Sequence, residues 1–154
     1  IEPQMKNTDF PKVLGTDGKK KMGKSESNHI ELALTPEETN KVVSTMVTDP
    51  QRVRRTDPGN PEVCNVFTLH KYFSNADKVS TIDAECRNAD IGCVDCKRML
   101  SDELNEHLGP FRERRAELAR NPQYIWDILH DGADRARTIA SKTIAEVKSA
   151  TGIA

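Results

Sequence analysis

Three cap-then-proline steps, Thr35-Pro36, Asn60-Pro61 and Asn121-Pro122, dictate what this chain can fold into. At each step a side-chain oxygen can accept an orphan N–H while the proline takes the first helical position, so each opens a helix. Glu38 can complete a capping box with Thr35, and that helix should run to about Met46. From Asn60 onward apolar residues recur at helical spacing. Val63, Phe67 and His70 predict one helix to about Phe73, and a second spans Ser74 to about Asn88. A third begins near Gly92 and passes Leu100, Leu104 and Leu108 toward Leu118, with Pro110 expected to kink or split it. Asn121-Pro122 opens another with Ile125, Trp126 and Leu129 on one face, Trp126 reading as core. Asp131-Gly132 should interrupt it, and a last helix carries Ala136, Ala140, Ile144 and Val147 until Gly152. The first 29 residues differ, with almost no apolar periodicity and at most a short strand at Lys12-Val13-Leu14. Ile30 to Leu34 alternates like a second brief strand, and residues 48–60, with Asp49-Pro50 and Asp57-Pro58, form a connector. The expected fold is mainly α, a helical bundle preceded by a loop and short-strand segment.

The 154 residues carry 23 basic and 24 acidic side chains, so no global field recruits nucleic acid and any RNA contact must be local. Arg52, Arg54 and Arg55 on the connector, and Arg112, Arg114, Arg115 and Arg120 near Pro110, are the candidates. For the second group an ion-paired helix face reads equally well. No run approaches the roughly 20 apolar residues of a membrane span, and no secretory signal opens the chain. We expect a soluble, cytoplasmic protein, and the start at Ile1 suggests a piece of something longer.

Gly18-Lys19-Lys20-Lys21-Met22-Gly23-Lys24-Ser25 satisfies the GxxxxGK[ST] phosphate-loop pattern. That motif needs an apolar strand before it and a helix starting at its Lys-Ser, and neither is legible here. The same residues suit a second chemistry. Lys21 and Lys24 on a glycine-hinged loop can bring two ammonium groups onto a polyphosphate, with Ser25 and loop N–H groups as added donors. A plain solvated basic loop is the alternative.

Cys64, Cys86, Cys93 and Cys96 are separated by 21, six and two residues. In a reducing compartment such spacing favours metal ligation over disulfides. All four could hold zinc or a [4Fe–4S] cluster, which spacing alone does not separate, or they could be buried, reduced thiols. Arg87, Lys97 and Arg98, next to ligand positions, would offset thiolate charge.

Lys21-Met22-Gly23-Lys24-Ser25 resembles the Lys-Met-Ser-Lys-Ser signature of class I aminoacyl-tRNA synthetases, with glycine replacing the first serine. Around it, in order, stand Gly15-Thr16-Asp17-Gly18, Asn28, Thr48-Asp49-Pro50, Pro58-Gly59-Asn60-Pro61, Gly92-Cys93-Val94-Asp95-Cys96-Lys97 and Pro110-Phe111-Arg112-Glu113-Arg114-Arg115. The set, with the last helix from Gly132 to Gly152, is similar to the C-terminal half of bacterial tryptophanyl-tRNA synthetases. The resemblance implies residues 1–34 as the end of a dinucleotide-fold catalytic domain and residues 35–154 as a helical anticodon-binding domain. It implies Lys21 and Lys24 as catalytic residues and Lys21, Met22, Gly23, Lys24 and Ser25 as an ATP-binding loop, with magnesium. Tryptophan, ATP and tRNA would be partners of an intact homodimer that joins tryptophan to tRNA. A cysteine-bearing subset of the family implies a [4Fe–4S] cluster on Cys64, Cys86, Cys93 and Cys96, with zinc as the alternative. The His-Ile-Gly-His-like motif and the indole pocket of the family fall outside these residues, so the chain alone should not activate tryptophan. The rival reading is a free-standing iron–sulfur or zinc helical module that binds RNA or protein without catalysis.

Overall fold

Caps set the helix starts. The computed structural model describes Lys6 and residues 12–153. Thr35 Oγ1 accepts the Glu38 N–H while the Glu38 carboxylate accepts the Thr35 N–H, and behind this box α1 runs Pro36–Ser44. Helix α2 is Asn65–Phe73, and α3, capped by the Asn75 side chain, is Ala76–Arg87. Helix α4 spans Cys93–Ala119, and α5, capped by Asn121, spans Pro122–Thr151 before Gly152 ends it at φ 69°. Mainly helical is therefore correct.

Several details differ from the sequence reading. Among the described residues there is no strand, only an isolated antiparallel bridge between Leu14 and Lys21. Ile30 to Leu34 holds a turn closed by the Leu34 N–H on the Glu31 carbonyl, because no strand among the described residues offers it a ladder. The single helix expected from Asn60 to Phe73 is two pieces. A 3-10 turn at Pro61–Val63 ends at Cys64, whose extended backbone (φ −89°, ψ 114°) makes it the N-cap of α2 and leaves it in the core. Asp131-Gly132 does not interrupt α5: one glycine costs about 1 kcal/mol against alanine, which a 30-residue helix absorbs. Pro110 lies within a single α4 and does not split it.

The chain forms two units, one ending at Pro110 and the other beginning at Phe111. In the first, Cys96, Leu100, Leu104 and Leu108 recur every fourth residue and bury one stripe of α4. They join a core of Val43, Met46, Val66, Phe67, Leu69 and Ile82, with Val13 and Ile30 packed against it. Each fully buried Leu or Phe contributes about 1.5–3 kcal/mol. His70 is completely buried between α2 and α4, its Nε2 3.1 Å from the Cys96 carbonyl and its Nδ1 2.8 Å from Ser74 Oγ. A carbonyl only accepts, so Nε2 carries the hydrogen and Nδ1 receives the Ser74 hydroxyl. Burial lowers the His70 pKa and keeps the ring neutral.

The second unit holds the end of α4 and all of α5, too few elements to cover both faces. No residue of α5 is buried, and Trp126, read from sequence as core, is 57% exposed. Among the described residues no helix is long and apolar enough to cross a membrane.

Candidate functional site

The lysine loop is braced from beneath by Asn28. This buried side chain accepts the Gly23 N–H at 2.9 Å through Oδ1, and its amide donates to Asp17 Oδ2 at 3.0 Å. Its backbone carbonyl accepts the Thr16 N–H at 2.7 Å. Gly15 passes so close that a Cβ there would fall 2.2 Å from Asn28 Cγ, which is why this position has no side chain. Below it, Asn65 at the start of α2 donates to the Gly15 carbonyl at 2.7 Å, tying the loop to the helical core. Asp17 Oδ1 accepts the N–H groups of Lys19 and Lys20, and these bonds, with that from Asn28, hold its carboxyl below the usual range.

On this frame Lys21 pairs with Leu14 through the backbone while the Met22 N–H bonds the Val13 carbonyl at 2.9 Å. Met22 lines an apolar recess with Val13, Ile30, Leu69, Phe73 and Leu104. Lys20 is committed to Glu26 at 2.5 Å. Lys21, Lys24 and Ser25 are exposed, and no ion pair holds either of these two lysines among the described residues. Lys24–Glu26 is a single 3-10 turn. The strand and helix of a nucleoside-triphosphatase loop are both missing from the described residues, so the GxxxxGK[ST] match carries no such function.

The four cysteines come together from three places: the N-cap of α2, the last turn of α3, and the first turn of α4, which carries two of them. Each thiol is felt electrostatically by every other. Burial raises the pKa of Cys64, Cys86 and Cys96, that of Cys96 to about 12, and repulsion among the four adds to it. For Cys64 the N–H groups of Phe67 and Val66 pull the other way. Metal-free, these three are neutral thiols at pH 7, so a bound metal must displace their protons. Among the described residues, no group of three or more His, Cys, Asp or Glu is placed to hold one metal ion.

The cation beside the sulfurs is Arg52, which the sequence reading assigned to RNA. Its Nη1 lies 3.9 Å from both Cys86 Sγ and Cys93 Sγ. Its Nη2 donates to the carbonyls of Arg55 and Ile91, each at 2.8 Å. Arg55 likewise turns inward onto the Ala89 and Asp90 carbonyls. The connector is thus a folded loop. Asp49, 6% exposed, closes it by accepting the N–H groups of Gln51 and Asn60. Closure lays Gly59 against Cys86, where a Cβ would sit 2.6 Å from the sulfur. The basic residues adjacent in sequence are occupied elsewhere: Arg87 with Asp83, Lys97 with the Ser44 carbonyl, Arg98 with Asp95. Arg52 stands 34 residues before Cys86, and only the turn pairs Asp49-Pro50 and Pro58-Gly59 hinted that the connector doubles back.

The family of tRNA synthetases class I (W and Y) matches residues 3–109. The chain belongs to this family. It is 43% identical over 153 residues to a tryptophan–tRNA ligase of Aquifex aeolicus, covering 99% of this chain and 38% of that protein. It is 40% identical over 153 residues to that of Thermotoga maritima, covering 99% and 46%. A solved structure of tryptophanyl-tRNA synthetase from Campylobacter jejuni, complexed with ADP and tryptophan, matches with a TM-score of 0.84 at 29% identity, over 95% of this chain and 45% of that one. The chain thus spans less than half the length of these relatives.

Proposed function

We propose that this chain supplies the pyrophosphate-handling loop and the tRNA-facing helices of a tryptophan–tRNA ligase. The observation that carries the reading is the exposed Lys21–Lys24 pair on an Asn28-braced loop, in a chain whose near relatives are named for that activity. In the intact enzyme the tryptophan carboxylate attacks the α-phosphorus of ATP, pyrophosphate leaves, and a terminal hydroxyl of tRNA then displaces AMP. Lys21 and Lys24 neutralise the charge that builds on the departing pyrophosphate, and Ser25 adds a donor. Magnesium accompanies the ATP. Glycine at position 23 gives up one hydroxyl of the signature and leaves its N–H on Asn28 to fix the loop. We assign residues 1–34 to the end of the catalytic domain and residues 35–154 to the anticodon-binding part. Arg54, exposed beside the two inward-turned arginines, is the connector residue left for RNA. The enzyme acts in the cytoplasm as a homodimer.

The protein extended to the length of its relatives should exchange pyrophosphate into ATP with tryptophan and not with tyrosine. The 154-residue chain alone should show no exchange. Preference for tyrosine, or exchange by the short chain, would sink the proposal.

We infer further that Cys64, Cys86, Cys93 and Cys96 hold a [4Fe–4S] cluster. The chemistry of the donors supports this reading: four thiols lie near one corner, the part-buried Arg52 guanidinium stands beside two of them, and Gly59 leaves Cys86 its space. When bound, the cluster supplies a covalent clamp among α2, α3 and α4. Anaerobically prepared full-length protein should contain about four irons and four sulfides per chain. Stoichiometric zinc, or neither metal, would refute the assignment.

A further inference from the structure

The two halves of the lysine loop are held in different ways. Up to Met22 the backbone secures itself: Leu14 bridges Lys21, the Met22 N–H reaches the Val13 carbonyl and the Gly15 N–H reaches the Lys20 carbonyl, both at 2.9 Å. Beyond Met22 the turn that carries Lys24 bonds within itself, the Glu26 N–H on Gly23 and the Ser27 N–H on Lys24. The backbone rejoins the frame at Asn28, whose carbonyl accepts the Thr16 N–H. Among the described residues two side chains tie the turn itself down. One contact is the exposed Lys20–Glu26 ion pair, a kind that holds geometry weakly. The other is Asn28, 3% exposed, whose Oδ1 takes the Gly23 N–H at 2.9 Å. Its amide nitrogen donates to the Lys21 carbonyl at 3.4 Å and to Asp17 Oδ2 at 3.0 Å. Asn28 therefore holds the backbone on both sides of Met22, at Lys21 itself and one residue before Lys24. A carboxylate only accepts, so Asp17 fixes which end of the amide is nitrogen and turns the oxygen toward Gly23. The other Asp17 oxygen is in turn held by the N–H groups of Lys19 and Lys20.

We propose that Asn28, oriented by Asp17, is the positioning residue for the lysine pair, fixing the backbone points from which the Lys21 and Lys24 ammonium groups reach a departing polyphosphate. The inference rests on the pyrophosphate-handling reading above. Both lysines are exposed and long, so the anchoring of their backbone limits where their charges can lie. Stabilisation of developing charge depends on donors already in place, and a misplacement of about 1 Å from a change away from the chemistry can cost about 10²-fold. Asn28 is buried beneath the loop and acts on the chemistry through the lysines. The glycine at 15 serves the same arrangement, since a Cβ there would meet Asn28 Cγ at 2.2 Å and push the amide out of its place.

The test uses the protein extended to the length of its relatives. Tryptophan-dependent ATP–pyrophosphate exchange gives kcat and KM for ATP, and urea unfolding checks the fold. Asn28→Asp keeps the acceptor for Gly23 but turns the other end of the side chain from donor to acceptor, against the Asp17 carboxylate. It should lower kcat by roughly 10–100-fold and change KM little. Asp17→Asn sets two amide donors against each other and should lower kcat by a smaller factor. The double variant Asp17→Asn/Asn28→Asp again faces a donor with an acceptor, keeps the acceptors for Gly23, Lys19 and Lys20, and has the wild-type net charge. It should recover most of the kcat lost in Asn28→Asp, whereas independent effects would add and leave it worse than either single variant. Lys24→Ala should also cost less in the Asn28→Asp background than in wild type, because the placement that Lys24 depends on is already lost. Should Asn28→Asp fail to fold, Asp17→Asn and the double variant decide: a loss in the first that the second restores supports the proposal, and wild-type kcat in Asp17→Asn overturns it. Wild-type kcat in folded Asn28→Asp, a loss confined to KM, or a double variant no better than the worse single one overturns the proposal, while exchange by the wild type keeps the functional reading. Absence of tryptophan-dependent exchange in the wild type overturns that reading, and this inference with it.

Discussion

Replacing Lys24 by alanine in the full-length protein is expected to lower tryptophan-dependent ATP–pyrophosphate exchange by about 10²–10³-fold, as loss of one preorganised charge donor does elsewhere. Lys21→Ala should fall in the same range. The drop belongs in kcat more than in KM for ATP, because the charge these lysines meet grows as the pyrophosphate departs. Lys20→Ala is the matched comparison. Lys20 is spent on Glu26, so its loss should cost no more than a few-fold. If Lys20→Ala proved as damaging as Lys24→Ala, the loop would act by general charge, and the specific pairing of Lys21 with Lys24 would be wrong. A fall confined to KM would place the lysines in ground-state ATP binding instead.

The largest stability effect should come from Leu100→Ala. Leu100 is fully buried on the α4 stripe between Cys96 and Leu104, in the core that also seats Val43 and Phe67. Truncation there should cost about 2–5 kcal/mol, the lost transfer free energy plus the cavity left behind. Against the 5–15 kcal/mol typical of a folded domain this is a large fraction. The measurement is urea unfolding followed by far-ultraviolet circular dichroism on full-length protein, with a lower midpoint at unchanged slope as the expected result. Val147→Ala on α5, 51% exposed, should stay within about 0.5 kcal/mol. Equal losses at Leu100 and Val147 would mean that the two helix faces are not buried as described.

The same contrast shows what was legible from residues alone. Caps are local, so Thr35 with Glu38, Asn60 and Asn121 could be read directly, as could the four-residue recurrence of leucines in α4. Cysteine spacing gave the candidate ligands, and Lys21 and Lys24 were visible by motif. Burial of α5 was not legible, because Ile125, Ile144 and Val147 repeat as core residues do, and only the surrounding elements decide whether anything covers them. The pause at Cys64 was missed for a related reason: proline-started helical pattern continued through it, and the break follows from the backbone turning that residue into the core.

Sequence by itself determined the helical class, the helix starts and the chemical types available to each site, since capping, periodicity and side-chain chemistry act over a few residues. It also carried the family, whose model matches residues 3–109. Tertiary structure alone decided which cation serves the cysteines. Arg52 reaches Cys86 and Cys93 from 34 and 41 residues away because Asp49 closes the connector onto Asn60, and no local rule registers a contact made by loop closure. It likewise decided that Asn28, noted in the sequence only as one of the ordered motifs, and Asn65, unremarkable there, fix the lysine loop, since their hydrogen bonds exist only once the loop lies on α2.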